Sequence, residues 1–319
     1  MCDLVGRLRS LVSPEVSMLN VDFALRSDRT MKALTGLSRA EFQTLCPSFA
    51  QVLSEQVLSR RPHRQRKPGA GGKYRLDRVE AKLFFILMYI KCYPTFDVAS
   101  VLYQVHRSRP HRWVQSWLPA LEQALGYEVV LPERRIDQVE TFFARFPQVK
   151  DLWLDGTERP IRRPQDAVIQ KRHYSGKKKR HTHNNLLLTD AHRRVLALSP
   201  TQPGARHDYA LLKAWNCPQR LPPDVVVWTD SGFQGMKKDY PQLSIIQPKK
   251  KPRGQELAAF DRFINTQKSR IRIRVEHAIG GVKRLAAVAH PYRNHKPNME
   301  DQRMLVACGL WNYHLKCTA

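Results

Sequence analysis

Residues 149–156 read Val149-Lys150-Asp151-Leu152-Trp153-Leu154-Asp155-Gly156, and this stretch decides the fold. It is a short apolar run ended by an acid and a glycine, the pattern of a buried strand rather than a helix. Downstream the same pattern repeats. Asn185 to Thr189, Arg194 to Leu198, Val225 to Trp228 and Ser244 to Gln247 read as strands, and Tyr209 to Trp215 and Asn265 to Ala287 read as helices. The order strand, strand, strand, helix, strand, strand, helix predicts an α/β layer on one mixed sheet.

Upstream the spacing is helical. Ser38-Arg39-Ala40-Glu41 is a capping box, so a helix starts there and is expected to stop near Pro47. Val79, Leu83, Leu87 and Ile90 form one stripe, Val98, Val101, Leu102 and Val105 a second, and Trp113, Trp117 and Leu121 a third. These predict three helices between residues 76 and 125, with Thr95 capping the second, Ser108 the third, and Pro110 in a first turn. The last two helices, joined through Val105-His106-Arg107, have helix-turn-helix form. The second presents Ser108, Arg109, Arg112, Gln115 and Ser116 opposite its tryptophans. Arg and Gln suit base edges in a major groove, and Ser108 a phosphate. A three-helix packing domain with a solvated basic face fits the same residues.

The chain has 319 residues, 54 Lys and Arg against 28 Asp and Glu, and a formal charge of +26. Residues 1–150 hold 23 basic and 14 acidic side chains, residues 151–319 hold 31 and 14. A polyanion is the partner that best offsets this self-repulsion. Six cysteines stand far apart, none in a CxxC pair, which argues against a zinc ribbon or a disulfide framework and for a reducing, cytoplasmic location. The longest apolar run, Leu83 to Ile90, has eight residues, whereas a bilayer needs about 20, and the N-terminal stretch has no secretory core, so no membrane role is expected. Ser59 to Lys73, rich in Arg, Pro and Gly, reads as a linker or a flexible basic arm.

Three acids stand where such a sheet presents ligands. Asp155 is expected to end the first strand, Asp230 follows the apolar run of VVVWTDSGFQG, and Glu276 lies in the long helix of RIRVEHAIGGVKR. On that helix Ile271, Val275, Ile279, Val282 and Leu285 make the expected buried stripe, and Arg272, Glu276, Gly280 and Lys283 a separate face. Clustered carboxylates suit hard cations such as Mg²⁺, while Arg272 and Lys283 suit a phosphate backbone. The same acids also read as turn, cap and solvated helix residues, and spacing alone does not choose. Lys177, Lys178, Lys179 and Arg180 form a basic hairpin or loop, read as a phosphate clamp or a solvated run. Gly280-Gly281 implies close approach of another backbone. His181 and His183 share a strand face without a third soft ligand, Asp208 reads as a helix N-cap, and His277 as a DNA contact at most.

The motifs DGTERPI, YSGKKKRHTHNNLLLTD, PGARHD, TDSGFQG and NTQKSRIRIRVEHAIGGVKR occur in that order. Together they resemble the transposases of insertion sequence family five, whose catalytic domain is the DDE superfamily endonuclease and is similar to that of Harbinger elements. The resemblance spans about residues 34 to 315 and includes Lys283, seven positions after Glu276. It implies an RNase H-like fold with Asp155, Asp230 and Glu276 as the metal triad, and spacings of 75 and 46 residues that leave no room for a large insertion domain. The expected organisation is a helical region over 1–58, a basic linker over 59–75, a helix-turn-helix domain over 76–148 and a catalytic domain over 149–319.

The function implied is DNA transposition. The helix-turn-helix binds terminal inverted repeats, and two Mg²⁺ ions, with Mn²⁺ as a substitute, assist phosphodiester hydrolysis and joining of the 3′-hydroxyl to target DNA. The implied partners are double-stranded DNA and a second copy of the chain, as a dimer or higher oligomer on DNA, in a nucleoid-associated setting. The alternatives are a catalytically silent DNA-binding regulator and an RNase H-like nuclease without strand transfer.

Overall fold

The computed structural model describes residues 19–60, 75–136, 139–252, 254–294 and 296–318. The N-terminal stretch read for a secretory core, and all of the Ser59 to Lys73 arm beyond Arg60, lie outside the described residues. The chain divides into two units, Met1–Ala124 and Leu125–Ala319.

The first unit is helical: α1 (Val21–Ala24), α2 (Asp28–Thr35), α3 (Arg39–Arg60), α4 (Val79–Cys92), α5 (Phe96–Tyr103) and α6 (Ser108–Tyr127), which runs on past the unit's last residue. The capping box forms as its sequence requires: the Ser38 amide donates to Glu41 Oε2 at 2.5 Å and the Glu41 amide to Ser38 Oγ at 3.3 Å. Yet α3 does not stop at Pro47. A proline inside a helix costs about 3 kcal/mol, and here burial of Phe42, Leu45, Phe49 and Val52 along one face offsets it.

Helix α4 is buried on all sides from Leu83 to Ile90, not along one stripe. Phe85 anchors an aromatic cluster, with ring centroids 5.2 Å from Tyr103, 5.0 Å from Trp113 and 5.6 Å from Trp117. This cluster corrects the reading of α5: Ala99 and Tyr103 face inward, so the helix is turned and Val98 and Val101 are exposed. Thr95 caps α5 as expected, accepting from the Val98 amide at 3.2 Å. Ser108 does not cap α6. It is the first helical residue, and its amide donates to His106 Nδ1 at 3.3 Å.

The second unit follows α7 (Val139–Arg145) with β1 (Asp151–Pro160), α8 (Ala167–His173), β2 (Tyr174–Ser175), β3 (Arg180–Thr189), β4 (Val195–Leu198) and β5 (Gln202–Pro203). Then come α9 (Asp208–Trp215), β6 (Val226–Thr229), α10 (Met236–Asp239), β7 (Ser244–Ile246), α11 (Ala259–Lys283), α12 (Ala286–Ala289) and α13 (Met299–Thr318). The sheet order is β2-β3-β1-β6-β7, with β4 and β5 also on β3. Strands β2 to β5 join the antiparallel side, while β6 and β7 run parallel to β1. This is the mixed-sheet α/β domain that the sequence predicts.

Alternation along β1 divides its side chains between two faces. Leu152 and Leu154 join Leu186, Leu188, Leu211 and Leu212 in the core on one side. Trp153 turns to the other, stacks on Trp228 at 6.2 Å and carries the Arg274 guanidinium of α11 at 5.3 Å. Helix α13, which the sequence reading did not assign, clasps β4: Asn312 Oδ1 accepts from the Val195 amide and Asn312 Nδ2 donates to Val195 O, both at 2.8 Å. A Cβ on Gly281 would lie 2.4 Å from the Trp311 ring of α13. The close approach expected at the glycine pair is therefore to an indole, not to a backbone, and only at Gly281, since Gly280 faces open space.

Candidate active site

Parallel pairing of β1 with β6 ends at Leu154 opposite Thr229, whereas antiparallel pairing of β1 with β3 continues to Pro160. The sheet therefore splits beyond Leu154, and the next residue of each parting strand is an aspartate. Asp155 does not end β1, as expected, but sits midway along it at the split. Asp155 Oδ1 accepts from the Gly156 amide at 2.8 Å, and Asp230 Oδ1 from the Ser231 amide at 2.6 Å, so backbone donors fix both carboxylates.

Helix α11 brings the third acid. Arg272, 12% exposed, places Nη2 3.7 Å from Asp155 Oδ2 and Nη1 3.4 Å from Asp230 Oδ1. One turn on, Glu276 lines a cleft together with Asp155 and Thr157. Lys283 lines the same cleft and its Nζ donates to Glu158 O at 3.0 Å. The polar face read for Arg272, Glu276 and Lys283 is thus turned to the acids. The apolar stripe is partly corrected: Val275, Val282 and Leu285 are buried, Ile279 lines the cleft and Ile271 is exposed.

Burial at the split penalises an isolated charge of either sign. Burial pushes the Asp155 carboxyl up to about 6, against the opposing pull of the Gly156 amide and Arg272, and the charges of Asp230 and Asp208 push it further up. Burial also lowers the Lys283 ammonium below its ordinary range, helped by the neighbouring cations Lys178 and Arg159. The basic hairpin forms as read, from β2 through a turn at residues 176–179 into β3. Lys177 and Lys178 line the cleft, Lys179 holds the turn at φ 51°, and Arg180 is the exposed first residue of β3.

Asp208 was misread as a cap. His207 is the N-cap of α9, its Nδ1 accepting from the Tyr209 amide at 3.3 Å, while Asp208 lines the cleft. The available signal was Gly156 beside Asp155. His181 and His183 do lie on β3, where His183 faces the His173 and Tyr292 rings. In the first unit, Arg109 and Arg112 on α6 are exposed, and Ser108, Gln115 and Ser116 are half-buried opposite the buried Trp117.

The donor chemistry of the cleft fits a hard divalent cation. Its acids offer carboxylate oxygens, and the buried Thr157 hydroxyl among its lining residues has no hydrogen-bond partner. Convergence is incomplete: among the described residues no three His, Cys, Asp or Glu side chains close into a metal cage, and a guanidinium joins Asp155 to Asp230.

The second unit is thus a mixed α/β sheet with carboxylates gathered at the parting of β1 and β6. Residues 154–312 match the DDE superfamily endonuclease, and residues 74–126 match the helix-turn-helix of DDE superfamily endonuclease. The chain belongs to the DDE superfamily of endonucleases. It is 26% identical over 293 residues to a probable transposase for insertion sequence element IS702 of Microchaete diplosiphon, covering 91% of this chain and 96% of that one. No solved structure gives a significant match. Among the described residues no helix is long and apolar enough to cross a membrane.

Proposed function

We propose that the chain is an insertion-sequence transposase whose helix-turn-helix docks on the element's terminal repeats while the cleft at Asp155 cuts the phosphodiester. The observation that carries this reading is the convergence of Asp155 and Asp230 on Arg272, one helical turn from Glu276, which with Asp155 lines a cleft edged by lysines. Asp155, between the other two, and Asp230 and Glu276 would hold two Mg²⁺ ions. When bound, such ions activate a water or a 3′-hydroxyl and stabilise the leaving oxygen.

The chain's own residues do the remaining work. Lys177, Lys178, Lys179 and Arg180 grip the sugar-phosphate backbone at the mouth, and Lys283 and Arg272 hold it beside the acids. Ser108 meets a phosphate while Arg109, Arg112 and Gln115 of α6 read base edges. No covalent protein intermediate is required. Processing two ends together calls for at least a dimer on DNA.

The test is metal-dependent nicking of DNA carrying the element's ends. The wild type should cut in Mg²⁺, and Asp155→Asn should fold and bind DNA yet fail to cut. Cleavage by that variant overturns the assignment. A wild type that binds the ends but never nicks them is a regulator, and one that nicks any duplex without joining ends is a nuclease.

A further inference from the structure

Asp208 enters the cleft from α9, on the face of the sheet opposite α11. A Cβ built on Gly156 would lie 2.8 Å from its Cγ and Oδ1 and 2.9 Å from its Oδ2. The carboxylate therefore rests directly on the β1 backbone, in space that exists only because residue 156 has no side chain. Asn184, 2% exposed and paired with Glu158 across the strands, donates from Nδ2 to Asp208 Oδ1 at 2.6 Å.

Neither ordinary use of a helix-start aspartate accounts for this placement. The capping role belongs to His207, whose ring accepts from the Tyr209 amide. Among the described residues Asp208 has no ion-pair partner within 4.0 Å, while Arg272, the cation nearest the split, is already shared by Asp155 and Asp230. Asp208 adds a negative charge to a cleft already lined by Asp155 and Glu276. A fold that fixes such a charge with a buried amide and a glycine gains nothing from it unless a positive ligand offsets the repulsion. A separate observation points to the same ligand: the Thr157 hydroxyl, in a side chain 2% exposed that lines the cleft, is buried without a partner.

We propose that Asp208 is a fourth carboxylate of the divalent-cation site, set against Asp155 across the backbone of Gly156 and oriented by Asn184. The assignment rests on the reading of Asp155, Asp230 and Glu276 given above. It places one acid on the α9 side of the sheet, opposite the three gathered by α11, so a bound cation is approached from both sides.

The experiment titrates Mn²⁺ into the full chain, alone and on an end-containing duplex, by calorimetry and by the electron paramagnetic resonance of free Mn²⁺. Metal-free thermal melts run in parallel. Asp208→Asn keeps the shape and an acceptor for Asn184. It should weaken Mn²⁺ binding at least tenfold while leaving the metal-free melting temperature unchanged or higher, because a repulsion has been removed. Gly156→Ala, whose Cβ displaces Asp208, should weaken Mn²⁺ binding in the same direction with all four acids present. If Asp208→Asn binds Mn²⁺ like the wild type while Asp155→Asn does not, the fourth-carboxylate assignment is wrong and the triad stands. A lowered metal-free melting temperature with unchanged affinity makes Asp208 structural. Equal Mn²⁺ binding by the wild type and Asp155→Asn, or none by either, removes the underlying reading and this one with it.

Discussion

The Arg272 guanidinium stands 3.7 Å from the Asp155 carboxylate and makes its other contact with Asp230, so one side chain of α11 ties together the first residues past the point where β1 and β6 part. Arg272→Met keeps the aliphatic stem and removes the charge, leaving two carboxylates facing each other at the split. The metal-free variant should lose about 1 to 3 kcal/mol of stability, and millimolar Mg²⁺ should recover part of it. Urea unfolding with and without Mg²⁺ measures both effects. An unchanged midpoint would show that the pairing does not hold the split together.

Cleft and helix contacts should separate in their salt dependence. Lys177→Ala and Lys178→Ala should weaken binding to all duplexes alike and flatten the plot of log affinity against log salt by about one unit each. Arg112→Ala and Gln115→Ala should instead erode the preference for terminal-repeat DNA over random DNA. Fluorescence anisotropy across a salt series distinguishes the two classes. Loss of preference in the lysine variants would move base reading to the cleft.

Gly280 and Gly281 adjoin in sequence yet predict opposite outcomes. A Cβ at Gly281 meets the Trp311 ring at 2.4 Å, so Gly281→Ala should destabilise by about 1 to 3 kcal/mol. A Cβ at Gly280 meets nothing within 4 Å, and Gly280→Ala should stabilise α11 by up to about 1 kcal/mol. Paired denaturant curves check the difference in sign.

Burial holds the His183 imidazole down to about 3, with the Arg159 and His173 charges acting in the same direction. The unfolded chain takes up a proton near 6.5 that the folded one refuses. The contribution is complete above pH 6.5 and is lost progressively as pH falls toward 3, amounting to about 2 kcal/mol by pH 5. Asp155 works in the opposite sense, since its raised carboxyl regains stability on protonation between about 6 and 3.8. The difference between wild type and His183→Phe isolates the histidine: from pH 7 to pH 5 the wild type should lose stability relative to the variant.

The strand pattern was legible because buried strands and sharp turns leave local marks, and Asp155 and Asp230 mark the two turning points at the split. Leu152 to Leu154 and Val225 to Trp228 read correctly, as did the helix carrying Glu276. What failed depended on partners remote in sequence. Pro47 stops an isolated helix but not one whose Phe42, Leu45 and Phe49 face a core. The turn of α5, which exposes Val98 and Val101, is set by the fit of Tyr103 against Phe85 and Trp113. Asp208 looked like a cap because helix-start acids usually are, and only the tertiary position of Gly156 reveals where its carboxylate goes. Helix α13 has no single apolar face to read, since it is buried over most of its length from Met304 to Tyr313.

Because β6 halts at Thr229 while β3 escorts β1 onward to Pro160, the notch that gathers the acids is a product of strand lengths rather than of any loop. The exposed margin of β1 beyond it is sealed by Lys283 on Glu158 O and by the Tyr292 amide on Pro160 O. Asp155 therefore owes its seat to where β6 stops, and to α11 and Tyr292, which close the margin that β6 leaves open.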